Sequence, residues 1–208
     1  MKIEGMSLGP LGTNCYIVYN EQHAIIVDPG SDAEKVVSFI EQEKVAPKAI
    51  VLTHAHFDHI GAVEALRSHY GIDVYLHQEE KDWLEDPKLN GSSLFIGEEI
   101  KTRKAEKSLT PGKLQIATFT FNILHTPGHS PGSVSIVCQD KSIVFGGDAL
   151  FQQGIGRTDL PGGNMEQLIN SIREKLYHLD DSYVVYPGHG PATTIGEEKR
   201  NNPFVRME

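Results

Sequence analysis

Short apolar runs that stop at a histidine or aspartate beside glycine or proline constrain this chain most. "KAIVL" runs into "THAHFDHIG", with His54, His56, Asp58 and His59. Three later runs behave alike: His129 lies in "HTPGHSPG", Asp148 in "VFGGDAL" and His189 in "VVYPGHGP". A strand supplies a rigid base, and small residues let the backbone turn tightly and approach a ligand closely. Binding and catalytic groups favour loops held on such scaffolds.

The first cluster sits where a strand gives way to a helix. In an extended segment alternate residues point the same way, so His54, His56 and Asp58 share a side and His59 does not. A turn into the helix headed by Ile60 and Val63 resolves this, and one segment then aims ligands in two nearby directions. Seven candidate ligands result: His54, His56, Asp58, His59, His129, Asp148 and His189. A tetrahedral zinc takes about four ligands, and a catalytic one keeps a position open. Seven exceed one ion and suit two that share a carboxylate, roughly 3.5–4 Å apart. Structural zinc prefers cysteine-rich closed shells, so an all-His/Asp set on glycine-rich loops indicates catalysis. The other histidines, His23, His69, His77, His125 and His178, read as polar surface residues.

The remaining pattern is mixed α/β. "TNCYIVYN" and "HAIIVD" are strands turning at Asn20–Gln22. "SDAEKVVSFIEQEK" is a helix with capping-box spacing at Ser31 and Glu34 and a face of Ala33, Val36, Val37 and Ile40. A helix with Ile60, Val63, Leu66 and Tyr70 on one side stops at Gly71, and "IDVYLH" is a strand. Residues 79–85 suit a short helix, whereas 86–112 is a long polar loop, a length that usually has a function as a lid or substrate wall. "KLQIATFTFNILHT", "GSVSIVCQD" and "KSIVFGGD" form a meander. Asn164 caps a helix lined by Met165, Leu168, Ile169, Ile172, Leu176 and Leu179, and "IGEEKRNNPF" adds one or two helical turns. Strands followed by a helix and another strand, twice over, predict packed sheets with helices outside, in one domain of two similar halves spanning 1–208.

Composition narrows the function classes. The net charge of −9 and scattered basic residues argue against nucleic acid. The aliphatic runs are too short to span a bilayer, and no signal-peptide run opens the chain. Cys15 and Cys138 lie in apolar strand-like runs and read as buried thiols of a cytoplasmic protein.

Together "THAHFDHIG", "HTPGHSPGS", "GDALF" and "YPGHG" resemble the metallo-β-lactamase fold hydrolases, over nearly the whole chain. "GTNCYIV", "GDALFQQGIGRTDLPGG" and "GHGPATTIGEEKRNNPF" are similar to the short bacterial glyoxalase II-like branch. The resemblance implies a four-layer αβ/βα sandwich with two metals at one edge of the sheets. It implies that His54, His56 and His129 hold one metal, that Asp58, His59 and His189 hold the other, and that Asp148 bridges. The metals would be zinc, with iron or manganese also suited to these donors. The implied reaction is hydrolysis of a small-molecule 2-hydroxyacyl thioester by hydroxide formed on the metals, with Asp58 also able to orient the nucleophile. Arg157, in "GIGRTD", would contact a substrate carboxylate; its competing role is an ion pair with Asp159. Full-length glyoxalase II enzymes add a C-terminal helical region that grips glutathione, which a sequence ending at Glu208 is not expected to have.

Three rivals share features of this pattern. A mononuclear iron persulfide dioxygenase has HxHxDH and GRTD but uses two His and one Asp. A nuclease of the same fold is disfavoured by the acidic charge. A non-enzymatic metal-binding protein is disfavoured by the full ligand set.

Overall fold

Residues 1–206 are described in the computed structural model. They form two compact units, one of Met1–Leu109 with Ile116–Phe119, the other of Thr110–Gln115 with the chain from Thr120 onward.

The first unit is built on a six-stranded sheet ordered β1-β2-β3-β4-β5-β6: β1 (Lys2–Leu8), β2 (Thr13–Tyr19), β3 (His23–Val27), β4 (Ala46–Val51), β5 (Asp73–His77) and β6 (Lys107–Leu109). The Asn20 carboxamide oxygen accepts from the amides of Gln22 and His23, which closes the predicted turn. β1 to β3 pair antiparallel, and β3 to β6 are parallel. Helix α1 (Ala33–Glu43) returns the chain from β3 to β4 and buries Val36 and Ile40. Its N-terminus departs from the capping-box expectation. Asp32, not Ser31, is the cap, in a left-handed conformation and without a side-chain cap bond. The Asp32 carboxylate is engaged elsewhere, accepting from the Gly9 amide and pairing with Lys35.

The predicted helix after β4 is two pieces, α2 (Phe57–Ile60) and α3 (Val63–Tyr70). Here the Ala62 amide bonds to the Pro29 carbonyl. A Cβ on Gly61 would stand 2.3 Å from the Gly30 carbonyl oxygen, so glycine is required at this crossing. Ile60, Val63 and Leu66 are buried as expected, each burial worth about 1.5–3 kcal/mol, and Gly71 caps α3 in the left-handed region.

Residues 78–112 are more structured than a loop. A 3₁₀ turn at Gln78–Glu80 is followed by α4 (Ser92–Phe95) and by β6, which joins the sheet. Asn90 is fully buried and donates to the carbonyls of Trp83 and Ile100. Arg67 donates to the carbonyls of Arg103 and Lys104. Burial acts to raise the Glu64 carboxyl, but bonds from Thr102 and Arg103 outweigh it and bring it to about 2.

The second unit is built on a sheet ordered β14-β13-β10-β9-β8-β7, with β7 (Gly112–Ile116), β8 (Phe119–His125), β9 (Val134–Cys138), β10 (Ile143–Gly147), β13 (Val184–Pro187) and β14 (Thr193–Thr194). A small hairpin of β11 (Leu150–Phe151) and β12 (Gly154–Ile155) stands apart from that sheet. β10 and β13 are parallel. Between them runs α5 (Met165–Glu174), with Asn164 accepting from the Gln167 amide as its cap. Leu168, Ile172 and Leu176 are buried, whereas Met165 is exposed. Helix α6 (Ile195–Asn201) supplies the two expected turns. Cys15 and Cys138 are buried thiols, and burial raises both. Among the described residues no helix is long and apolar enough to cross a membrane.

Candidate functional site

Parallel pairing places the candidate ligands in both units. In the first unit β3 and β4 run side by side, with Val27 opposite Val51. Asp28 follows one strand and Thr53 the other, so they meet. The Asp28 carboxylate accepts from the Thr53 amide at 2.7 Å and from the Thr53 hydroxyl at 2.6 Å. In the second unit Gly147 is opposite Pro187, and the Gly188 amide bonds to the Gly147 carbonyl. Asp148 and His189, one and two residues beyond the strands, are brought together, with His189 Nε2 3.6 Å from Asp148 Oδ2.

His54 and His56 lie on the extended segment after β4, while Asp58 and His59 belong to the single turn of α2. His54, His56 and His59 are all buried. The hydrogen bonds assign the tautomers of His54 and His59. Asp28 Oδ2 only accepts, and His59 Nδ1 lies 3.0 Å from it, so this nitrogen carries the proton. The Thr53 hydroxyl spends its proton on the same oxygen, so His54 Nδ1, at 3.1 Å, donates to Thr53 Oγ1. One buried carboxylate thus makes Nε2 the basic nitrogen of both rings, the form that ligates metals. Thr13 Oγ1 donates to Asp58 Oδ2 at 3.0 Å. Glu80, fully buried, accepts from the Ala55 amide at 2.6 Å. It braces the backbone between His54 and His56, and Trp83 lies against the His56 ring.

In the second unit His129 is buried on the loop after β8, and its Nδ1 donates to the Arg157 carbonyl at 2.8 Å. Its Nε2 is 3.6 Å from Asp148 Oδ2. The chain at Gly156 passes so close that a Cβ would stand 1.9 Å from the Asp148 carbonyl oxygen and 3.2 Å from His129 Cβ. Behind this loop Glu198 of α6 is fully buried and accepts from Thr193 Oγ1, Asn202 Nδ2 and the Gln153 amide. The Arg157 guanidinium makes a two-pronged pair with Asp159, both bonds 2.7 Å, at the surface. Arg157's hydrogen bond holds the Asp159 carboxyl down to about 2 and raises the guanidinium in turn.

The donors suit a divalent cation. His59 Nε2 also lies 3.6 Å from Asp58 Oδ2, so three imidazole nitrogens stand at that separation from a carboxylate oxygen. This exceeds a hydrogen bond of about 2.7–3.2 Å. It is close to the spacing of two ligands on one tetrahedral ion, since bonds of about 2.0–2.2 Å set a nitrogen and an oxygen roughly 3.3–3.5 Å apart.

Asp28, Thr53, Thr13, Glu80 and Glu198 support the site without being among its candidate ligands. A "VDPG" strand end is a faint signal for Asp28; the others carry none. Two histidines read as surface residues are structural instead. His77 is buried and caps the Gln78–Glu80 turn by accepting from the Glu79 amide, and His125 Nε2 donates to the Pro131 carbonyl.

Residues 8–189 match the Metallo-beta-lactamase superfamily. The chain is 47% identical over 206 residues to the probable metallo-hydrolase YqgX of Bacillus subtilis, covering 99% of this chain and 98% of that one. It is 39% identical to the hydroxyacylglutathione hydrolase GloC of Haemophilus influenzae, with 100% of both chains covered. The crystal structure of the BLEG-1 B3 metallo-beta-lactamase superposes with a TM-score of 0.96 at 52% identity, covering 98% of this chain and 99% of that one. The chain belongs to the metallo-β-lactamase superfamily, as a metallo-hydrolase with that superfamily's fold.

Proposed function

We propose that this protein is a dinuclear metal-dependent hydrolase of 2-hydroxyacyl thioesters. In this reading residues 1–208 work as one domain. His54, His56 and His129 would hold one ion, Asp58, His59 and His189 would hold the second, and Asp148 would be shared by both. The ions are zinc, with iron or manganese as alternatives these donors accept. The observation that carries the reading is Asp148 Oδ2 standing 3.6 Å from the Nε2 atoms of both His129 and His189, a spacing suited to ligands about a metal. The thioester assignment draws on full-length similarity to a protein named hydroxyacylglutathione hydrolase.

When bound, the metals supply a Lewis acid and bring the pKa of water from about 15.7 to about 7. The chain's own groups orient the rest. Asp28 holds His59 in one tautomer directly and His54 through Thr53. Thr13 fixes the rotamer of Asp58, which directs the attacking water at the acyl carbon. A C–O bond forms as the water's proton passes to solvent, the C–S bond breaks, and the thiolate leaves without needing a strong general acid. Arg157 binds a carboxylate of the substrate. Its pair with Asp159 is solvent-exposed, and such pairs are weak enough to exchange partners.

Two measurements test this. Protein loaded with zinc should release thiol from 2-hydroxyacyl thioesters, lose the activity to a chelator, and regain it with about two equivalents of metal. Absence of thiol release from fully loaded protein, or faster opening of a β-lactam, would overturn the thioester reading. Arg157→Ala should raise KM for an acidic thioester about tenfold with kcat little changed, since an exposed charge-assisted contact is lost equally from ground and transition states. A neutral thioester should not notice the change; an unaltered kcat/KM for the acidic one would remove Arg157 from the site.

A further inference from the structure

Beside Asp58 in the first unit lies a cavity of about 170 Å³. Its lining is apolar at Pro10, Leu11, Phe57, Ile96 and Ile100 and polar at Thr13, Ser31 and Asp58. Two of these residues reach the surface, Leu11 53% exposed and Ile96 39%, and outside the lining Phe95 stacks on Phe57 with ring centroids 5.9 Å apart. Large aliphatic groups left at the surface around a hollow signal a ligand or partner. Size decides between them. Pockets that enclose a whole drug-sized molecule measure about 300–1,000 Å³. This one is close to an apolar cavity of about 150 Å³ that accepts benzene, so it takes one aryl ring or branched alkyl group. Thr13 and Asp58, joined by a hydrogen bond of 3.0 Å, both line the cavity, so a group that fills it sits beside a residue of the proposed metal site.

We propose that this cavity takes the apolar side chain of the substrate's acyl group, so that the preferred thioesters carry an aryl or branched alkyl group on the hydroxy-bearing carbon rather than a methyl. The inference rests on the hydrolase reading above and narrows its substrate class. Ile96 and Leu11 are then specificity-determining residues. Both lie at the rim, so their replacement tests the cavity with little disturbance of the core.

The experiment compares mandeloyl and lactoyl thioesters of one carrier, N-acetylcysteamine, with the zinc-loaded protein. Filling an apolar pocket discriminates by roughly 10–200-fold, so kcat/KM should favour mandeloyl at least tenfold. Ile96→Ser and Leu11→Ser should each pull the ratio toward one. Hydrolysis without that preference, or a preference both variants retain, overturns the cavity assignment and leaves the hydrolase reading standing. If neither thioester is cleaved, the hydrolase reading falls and binding decides the cavity. A rise in melting temperature with mandelate but not lactate, abolished in Ile96→Ser, keeps it as an aryl-acid site; no rise overturns it.

Discussion

Asp148→Ala should leave the protein folded, with most of its bound metal gone and hydrolysis reduced to near background. The carboxylate follows β10 directly, and its Oδ2 is 3.6 Å from the Nε2 atoms of His129 and His189. Alanine removes the only anionic donor of that group and keeps the backbone. Losing a partner behind a ligand costs about 10–100-fold in metal affinity or activity, and losing the proposed bridge should cost more. Elemental analysis beside thiol-release kinetics checks this. A variant that keeps two metals per chain and its activity would show that Asp148 is no bridge. The fold should survive because the strand ahead is held by its own pairing with β9 and β13.

The second large effect comes from a residue one step removed. Asp28→Asn changes one oxygen to an amide nitrogen, yet it should lower metal affinity by about 100-fold, the upper end for such partners. The Asn carbonyl would stay on the Thr53 amide, now bonded to Asp28 Oδ1. The amide nitrogen would then occupy the Oδ2 position, against His59 Nδ1 and Thr53 Oγ1. A donor there forces His59 to accept at Nδ1 and moves its proton to Nε2. It also frees the Thr53 hydroxyl to donate to His54 Nδ1, which moves the second proton likewise. Both rings would lose the lone pair that binds metal. Competitive zinc titration of wild type and Asp28→Asn decides the matter, with far-UV circular dichroism of the metal-free proteins as the control for folding. Equal affinities would refute the tautomer assignment.

Asp28 shows where reading a sequence runs out. The HxHxDH cluster is local: six consecutive positions carry four ligand-type side chains, and the strand before them and the helix after them have their own periodicity. The cap at Asn164, the stop at Gly71 and the turn at Asn20 are equally local and are present as expected. The capping box at Ser31 fails because Gly9, far away in sequence, claims the neighbouring Asp32. The helix after the cluster breaks at Gly61 because the backbone at Pro29–Gly30 crosses there and takes the Ala62 amide.

Residue type, strand period and short-range caps were therefore determined by the sequence alone, since each depends on neighbours within one or two turns. Register between parallel strands was decided only by the tertiary structure. Such strands are joined by long crossovers, and nothing in the sequence near Asp28 says that Thr53 will lie beside it, or near Asp148 that His189 will. That pairing sets which histidine nitrogen carries a proton and which carboxylate faces an imidazole, because hydrogen bonds act over about 3 Å whatever the distance along the chain.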